Sequence, residues 1–221
     1  DNLWLARASI RRLEAETLRD ALLSVSGQLN PKVAGQPVPV SQNEAGQVIV
    51  APDTTDSAGR QTGKVIPLNG EEFRRSVYIQ ARRSKPLEMF AAFDAPSMTE
   101  ANCEARPVTT VSPQSLLLMN NGYMREYAQY FATRLEAEAP DNVEAQIERA
   151  FKFCYSRAPS MAEVAGAREF VKAQTAHYTE HPAKFEKVVG PESKETAPPA
   201  TLGLAALCHA LLSSNEFIYV D

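Results

Sequence analysis

Residues 201–214 read Thr-Leu-Gly-Leu-Ala-Ala-Leu-Cys-His-Ala-Leu-Leu-Ser-Ser, apolar on nearly every side of a helix and interrupted only by His209. A helix without a polar face needs neighbours all round it, so this segment belongs at the centre of a bundle and sets the class as mainly α. The apolar part, Leu202 to Leu212, falls well short of the roughly 20 residues that cross a bilayer, and no membrane span is expected.

Working back from that segment, four helices announce their starts. Ser84 precedes a short one reaching about Phe93, and Ser112-Pro113 opens a long one to about Glu138. Asp141 with Glu144 and Ser160 with Glu163 have the spacing of capping boxes. Near the start, Ile10, Leu13, Thr17, Leu18, Ala21 and Val25 recur at helical spacing up to Gly27, predicting a first helix over about residues 4–26. On that helix Glu14 falls within the apolar arc, where a carboxylate needs a partner.

Between Asn30 and Gly70 the helical period vanishes under Pro31, Pro37, Pro39, Pro52 and Pro67. Residues 31–83 therefore form a small extended β/loop subdomain, ending in a half-buried strand from Ser76 to Ala81 with Val77 and Ile79 inward. Residues 181–199 are charged and rich in proline, which predicts a flexible loop. The whole, 1–221, reads as a single helical domain carrying an insertion, and because it begins with Asp1 we expect a piece of something longer.

The composition narrows function mainly by exclusion. With 221 residues, 44% hydrophobic and a net charge of −4, the chain can bury a core but has no general attraction for nucleic acid. Three widely spaced cysteines, Cys103, Cys154 and Cys208, allow at most one bridge. Cys208-His209 lacks the second cysteine of a c-type haem attachment, since position 205 is Ala. His177 and His181 stand four apart but Tyr178 follows where a metalloprotease keeps its glutamate, so no metal site is expected. No glycine-rich phosphate loop and no Gly-x-Ser-x-Gly elbow occur.

What remains is a basic cluster. Arg74, Arg75, Arg82, Arg83 and Lys85 flank the expected strand with no acid between Glu72 and Glu88, and Arg106 follows. Arginines hold carboxylate or sulfate bidentately, so Arg74, Arg75, Arg82, Arg83 and Arg106 are the candidate ligand-binding residues for an anionic ligand. The structural alternative is that they pair with Glu14, Asp20, Asp94 and Glu216. Asn120, among Leu116, Tyr123, Met124 and Tyr127, is a further buried polar candidate. Glu14 and Glu216 form the one carboxylate pair worth testing as the catalytic residues of a glycoside hydrolase.

Taken as a set, several segments resemble a known family. They are Arg11-Arg12-Leu13-Glu14-Ala15-Glu16, Arg19-Asp20-Ala21-Leu22-Leu23, Ser26-Gly27, Arg75-Ser76-Val77-Tyr78, Arg82-Arg83-Ser84, Phe93-Asp94, Thr109-Thr110, Pro113-Gln114-Ser115-Leu116 with Asn120, and Ala210-Leu211-Leu212 with Ser214 through Asp221. The chain resembles the planctomycete-specific C-terminal domain of unknown function of secreted, cytochrome c-containing proteins. The likeness fades over about 31–72 and 177–199. It implies a periplasmic or extracellular setting, haem c in a separate domain and no cofactor in this chain. It also implies a missing N-terminal part of the family domain, and it supplies no catalytic residues.

The reading that follows is a non-catalytic interaction or scaffold module. Its expected partners are the remaining N-terminal part of the same protein, a companion chain, or an anionic polysaccharide met by the arginines. The alternatives are a carbohydrate-active hydrolase using Glu14 and Glu216, and a docking module for an electron-transfer cytochrome domain.

Overall fold

The apolar segment does occupy the centre. In a computed structural model describing residues 10–43, 46–58, 66–82, 86–96, 108–189 and 195–220, helix α7 (Pro199–Leu212) packs on α4 (Gly122–Glu138), α5 (Val143–Tyr155) and α6 (Met161–Glu180). Leu202, Leu204, Leu207, Cys208, Leu211 and Leu212 are all buried. Around this core lie α1 (Ala15–Val25), α2 (Glu88–Ala92), α3 (Ser112–Asn120) and α8 (Asn215–Ile218). Burying a leucine side chain is worth about 1.5–3 kcal/mol, and Leu18, Leu22 and Leu23 bring α1 onto the core with no exposed surface left. The fold is mainly α.

Two small antiparallel sheets complete it among the described residues. Strand β1 (Arg11–Arg12) pairs with β4 (Tyr219–Val220), and β2 (Ser41–Gln42) pairs with β3 (Val48–Ile49) inside the insertion. The first ties the two ends of the described chain together, helped by Leu13 N–H donating to the Ile218 carbonyl at 2.8 Å.

Several expectations need correction. The first helix does not run from residue 4: residues 1–9 lie outside the described residues, Arg11–Arg12 is a strand, and the helix starts at Ala15. Glu14 consequently sits just before the helix in extended backbone and is exposed, not set in an apolar face. The stretch 76–81 is not a strand; Ser76–Tyr78 forms a 3-10 turn, Ser76 is buried and Val77 is 72% exposed. Ile79 alone keeps a strand-like contact, with Val38 bonding to Tyr78 and Gln80 on either side of it. The long helix from Ser112 breaks at Asn121, whose extended backbone ends α3 and whose side chain caps α4 by accepting from Tyr123 N–H.

The remaining caps divide. Ser160 and Glu163 form the expected reciprocal box, whereas α5 is capped by Asn142 accepting from Ala145 N–H, not by Asp141. Helix α2 begins at Glu88, and Ser84 lies outside the described residues. Gly27 turns the chain after α1 at φ +76, and Arg134 donates to the Ser24 and Val25 carbonyls there, placing a cation where a helix C-terminus favours one. Within 181–199 the described flanks meet, as Lys184 bridges Thr196 and Ala197 N–H donates to the Ala183 carbonyl.

The insertion has its own small core of Val38, Val40, Val50 and Leu87. It rests on α1 and α4, and that contact forms the candidate site.

Candidate functional site

The seam between insertion and bundle is built from arginines. Arg74 is fully buried; its guanidinium donates to the Gln36 carbonyl at 3.0 Å, the Ala34 carbonyl at 2.5 Å and Glu71 at 3.1 Å, and lies 4.0 Å above the Tyr78 ring. Arg19, on α1, crosses the seam and donates to the backbone carbonyls of Arg74 at 2.9 Å and Glu72 at 2.6 Å and to the Ser76 hydroxyl. One turn face of α1 thus secures the insertion, because the next residue, Asp20, accepts from Ser76 N–H at 2.7 Å and Arg75 Nε at 3.1 Å. These are charge-assisted bonds, the strong kind, and most of them are shielded from water.

The other expected arginines are partly accounted for. Arg82 pairs with Asp53 at 3.3 Å at the surface, while Arg83, Lys85 and Arg106 lie outside the described residues. Asp94 is held by Arg12 at 2.7 Å and by Thr109. Glu216 accepts two bonds from Arg157, at 2.6 and 2.9 Å, and Arg157 also grips Glu163. Those bonds hold the Glu216 carboxyl below its usual range, and with Ser160 they bring Glu163 down to about 2. Asn120 is exposed and returns its amide to the Leu116 carbonyl of its own helix, so it is not a buried polar residue.

The pairing of acids with arginines is therefore real for Asp20, Asp94 and Glu216, but the arginines come from three places in the chain. Of the described pairs within the central cluster, Arg75 with Asp20 is one that joins an arginine to an acid of the expected set.

Beside the seam opens a cleft that the sequence reading missed. Its outer part, about 360 Å³, lies between β3, the start of α4 and residues 186–188, with Val48, Val50, Leu87 and Met89 among its apolar lining and Asn43 and Gln47 among its polar lining. Arg125 and Glu186 pair at its rim at 2.6 Å. Val50, Tyr123, Tyr127 and Lys187 also line an inner cavity of about 140 Å³, shared with Glu72, Phe73, Glu126 and Tyr130.

This inner part is chemically unusual. Glu126 is buried and accepts from Tyr130 Oη at 2.9 Å and Val188 N–H at 3.2 Å. Burial raises its carboxyl above the usual range, opposed only in part by those two bonds. Burial also raises the phenols of Tyr123, Tyr127 and Tyr130, with the Glu126 charge adding to each. Tyr123 Oη accepts from Val50 N–H at 2.8 Å, which fixes the β3 end of the insertion against α4. The signal in the sequence is the stripe Tyr123, Glu126, Tyr127 and Tyr130, one helical face in which an acid sits among aromatics.

Cys208 is buried, Cys154 is half-buried, both are free thiols, and burial pushes Cys154 up to about 12; Cys103 lies outside the described residues. His177 and His181 stack on each other at 4.7 Å on the exposed end of α6. Among the described residues no group of three or more metal-ligating side chains comes together, and no helix is long and apolar enough to cross a membrane.

The family model PSD1, described as a protein of unknown function (DUF1553), matches residues 1–171. That span includes residues 31–72, where the resemblance of the motifs fades, and stops short of residues 210–221, where it is dense. No curated protein and no solved structure matches the chain.

Proposed function

We propose, for a chain that belongs to the PSD1 family of proteins of unknown function (DUF1553), a non-catalytic interaction module that binds a neighbouring domain or companion chain at the cleft beside the arginine seam. The observation that carries this reading is the seam itself. Arg19 and Asp20 join insertion to bundle through charge-assisted bonds, and Arg74 braces the insertion from within by donating to the Gln36 carbonyl, which makes the two walls of the cleft one preorganised frame.

Among the described residues the candidate arginines are poorly suited to an anionic polysaccharide in this reading, because Arg74 is closed off and Arg75 and Arg82 each already hold a carboxylate. The hydrolase alternative is also disfavoured. A glycosidase acid needs a raised carboxyl, whereas Arg157 holds Glu216 ionised, and Glu14 lies at the surface before α1. The extracytoplasmic setting implied by the resemblance belongs to the same proposal.

The test is association with the separately expressed remainder of the parent protein, followed by calorimetry. Asn120→Trp, at the exposed mouth of the cleft, should abolish association while leaving the melting temperature unchanged. Association that is indifferent to Asn120→Trp, or carried by Arg75 and Arg82 instead, overturns the proposal.

A further inference from the structure

The inner cavity has a composition that the interaction reading alone does not explain. Four aromatic residues, Phe73, Tyr123, Tyr127 and Tyr130, line it together with two acids, Glu72 and Glu126. Phe73 and Tyr130 meet edge to face at 5.8 Å, and Tyr123 and Tyr127 lie 6.0 Å apart. Among the described residues neither acid stands in an ion pair; Glu72 accepts from Gly70 N–H and Glu126 from Tyr130 and Val188. Glu126 is buried and Glu72 half-buried, the Lys187 charge offsets only part of the cost of burying the Glu126 carboxylate, and a positive charge is favoured on aromatic faces.

We propose that the inner cavity is a cage for an ammonium group, presented by a free alkylammonium compound or by a lysine of the bound partner. The inference rests on the cleft being a recognition site and names the chemistry it recognises. About 140 Å³ accommodates a methylated ammonium head, and the outer cleft leaves room for whatever carries it. Two cations of the chain bear on the cage. Arg19 is committed to three acceptors of the seam, while Lys187, exposed at the mouth, competes for the same carboxylates.

The experiment titrates the whole chain with choline, with its neutral isostere 3,3-dimethylbutanol, and with Nα-acetyl-lysine methylamide, at constant ionic strength, following tyrosine ring resonances. Choline should shift Tyr123, Tyr127 and Tyr130 and bind about tenfold more tightly than the alcohol. Glu126→Gln should weaken choline by about tenfold and Lys187→Ala should tighten it. If Glu126→Gln melts early, Glu72→Gln carries the same expectation, since its bond from Gly70 can persist.

Preference for choline assigns the site to free alkylammonium compounds, and preference for the lysine amide assigns it to the partner. Equal binding of alcohol and choline overturns the cage, as does binding indifferent to both glutamine variants, or none at 100 mM in wild type and Lys187→Ala alike. Partner association that survives those failures leaves the docking reading standing without the cage. Choline binding with no partner association leaves the cage without the docking.

Discussion

Two glycines on adjacent helices give opposite predictions for the same substitution. Replacing a helix-interior glycine by alanine ordinarily stabilises by about 1 kcal/mol, because glycine loses more backbone freedom on folding. Gly166, on the exposed side of α6, has open space where a Cβ would go. Gly166→Ala should therefore gain about that amount, which for a chain of this size raises Tm by about 2–4 °C. Gly203 on α7 is different: a Cβ there would meet Thr175 Oγ1 in steric conflict, Thr175 N at 2.9 Å and the Val171 carbonyl at 3.0 Å, so two of the three atoms are α6 backbone that cannot rotate away. Overpacking costs typically about 1–3 kcal/mol, and forcing two long helices apart belongs at the upper end. After the propensity gain, Gly203→Ala should lose about 1–2 kcal/mol and about 3–6 °C. Paired thermal and urea unfolding of the two variants measures both. Equal or higher stability for Gly203→Ala would refute the close α6–α7 approach on which the central position of α7 depends.

Three further outcomes follow from the charged and thiol groups. Arg74→Met should cost about 2–4 kcal/mol in urea unfolding, because carbonyls of Ala34 and Gln36 lose their donor, and the Val38 and Gln80 amides should be the first to lose exchange protection. In a carboxylate NMR titration Glu163 should protonate near pH 2 and Glu216 below its usual range. Both folded values lie under the unfolded ones, so their stabilising effect is present above the ordinary carboxylate range and fades as pH falls toward 2; Arg157→Gln should move both upward and weaken that dependence, the Ser160 bonds keeping part of it on Glu163. Cys154 and Cys208 should resist a thiol reagent at pH 8 until the chain is unfolded, since burial raises both thiols and pushes Cys154 up to about 12.

The sequence was most legible where burial is uniform or where a cap is written in side chains. Residues 201–214 need no partner to be recognised as central, because every face is apolar, and Ser160 with Glu163 states its own hydrogen bonds. Legibility failed where the same pattern fits two backbones. Leu13, Leu18 and Val25 keep helical spacing whether the helix begins at residue 4 or at 15, and only the pairing of Arg11–Arg12 with Tyr219–Val220, two hundred residues away, decides it. Alternation over Ser76–Ala81 likewise suits a strand, but Asp20 draws Ser76 N–H inward and turns the chain so that Val77 faces water.

The candidate site divides on the same line between local and long-range information. That arginines and acids would neutralise one another was readable from their density; which pairs form was not, since Arg12–Asp94 and Arg157–Glu216 span 82 and 59 positions. Glu126 shows the limit most plainly. Along α4 only its place among Tyr123, Tyr127 and Tyr130 sets it apart from Glu138, which two arginines claim, and that stripe does not say what covers it. Its surroundings come from far along the chain: the insertion, secured by Arg19, brings Val50 and Phe73 to the same pocket, and Val188 N–H donates to the carboxylate from the other side of the sequence. Under the proposed reading the seam that the sequence offered as a ligand site acts one step removed: Arg19 and Arg74 hold the walls, and Glu126 with its aromatic neighbours stands behind them.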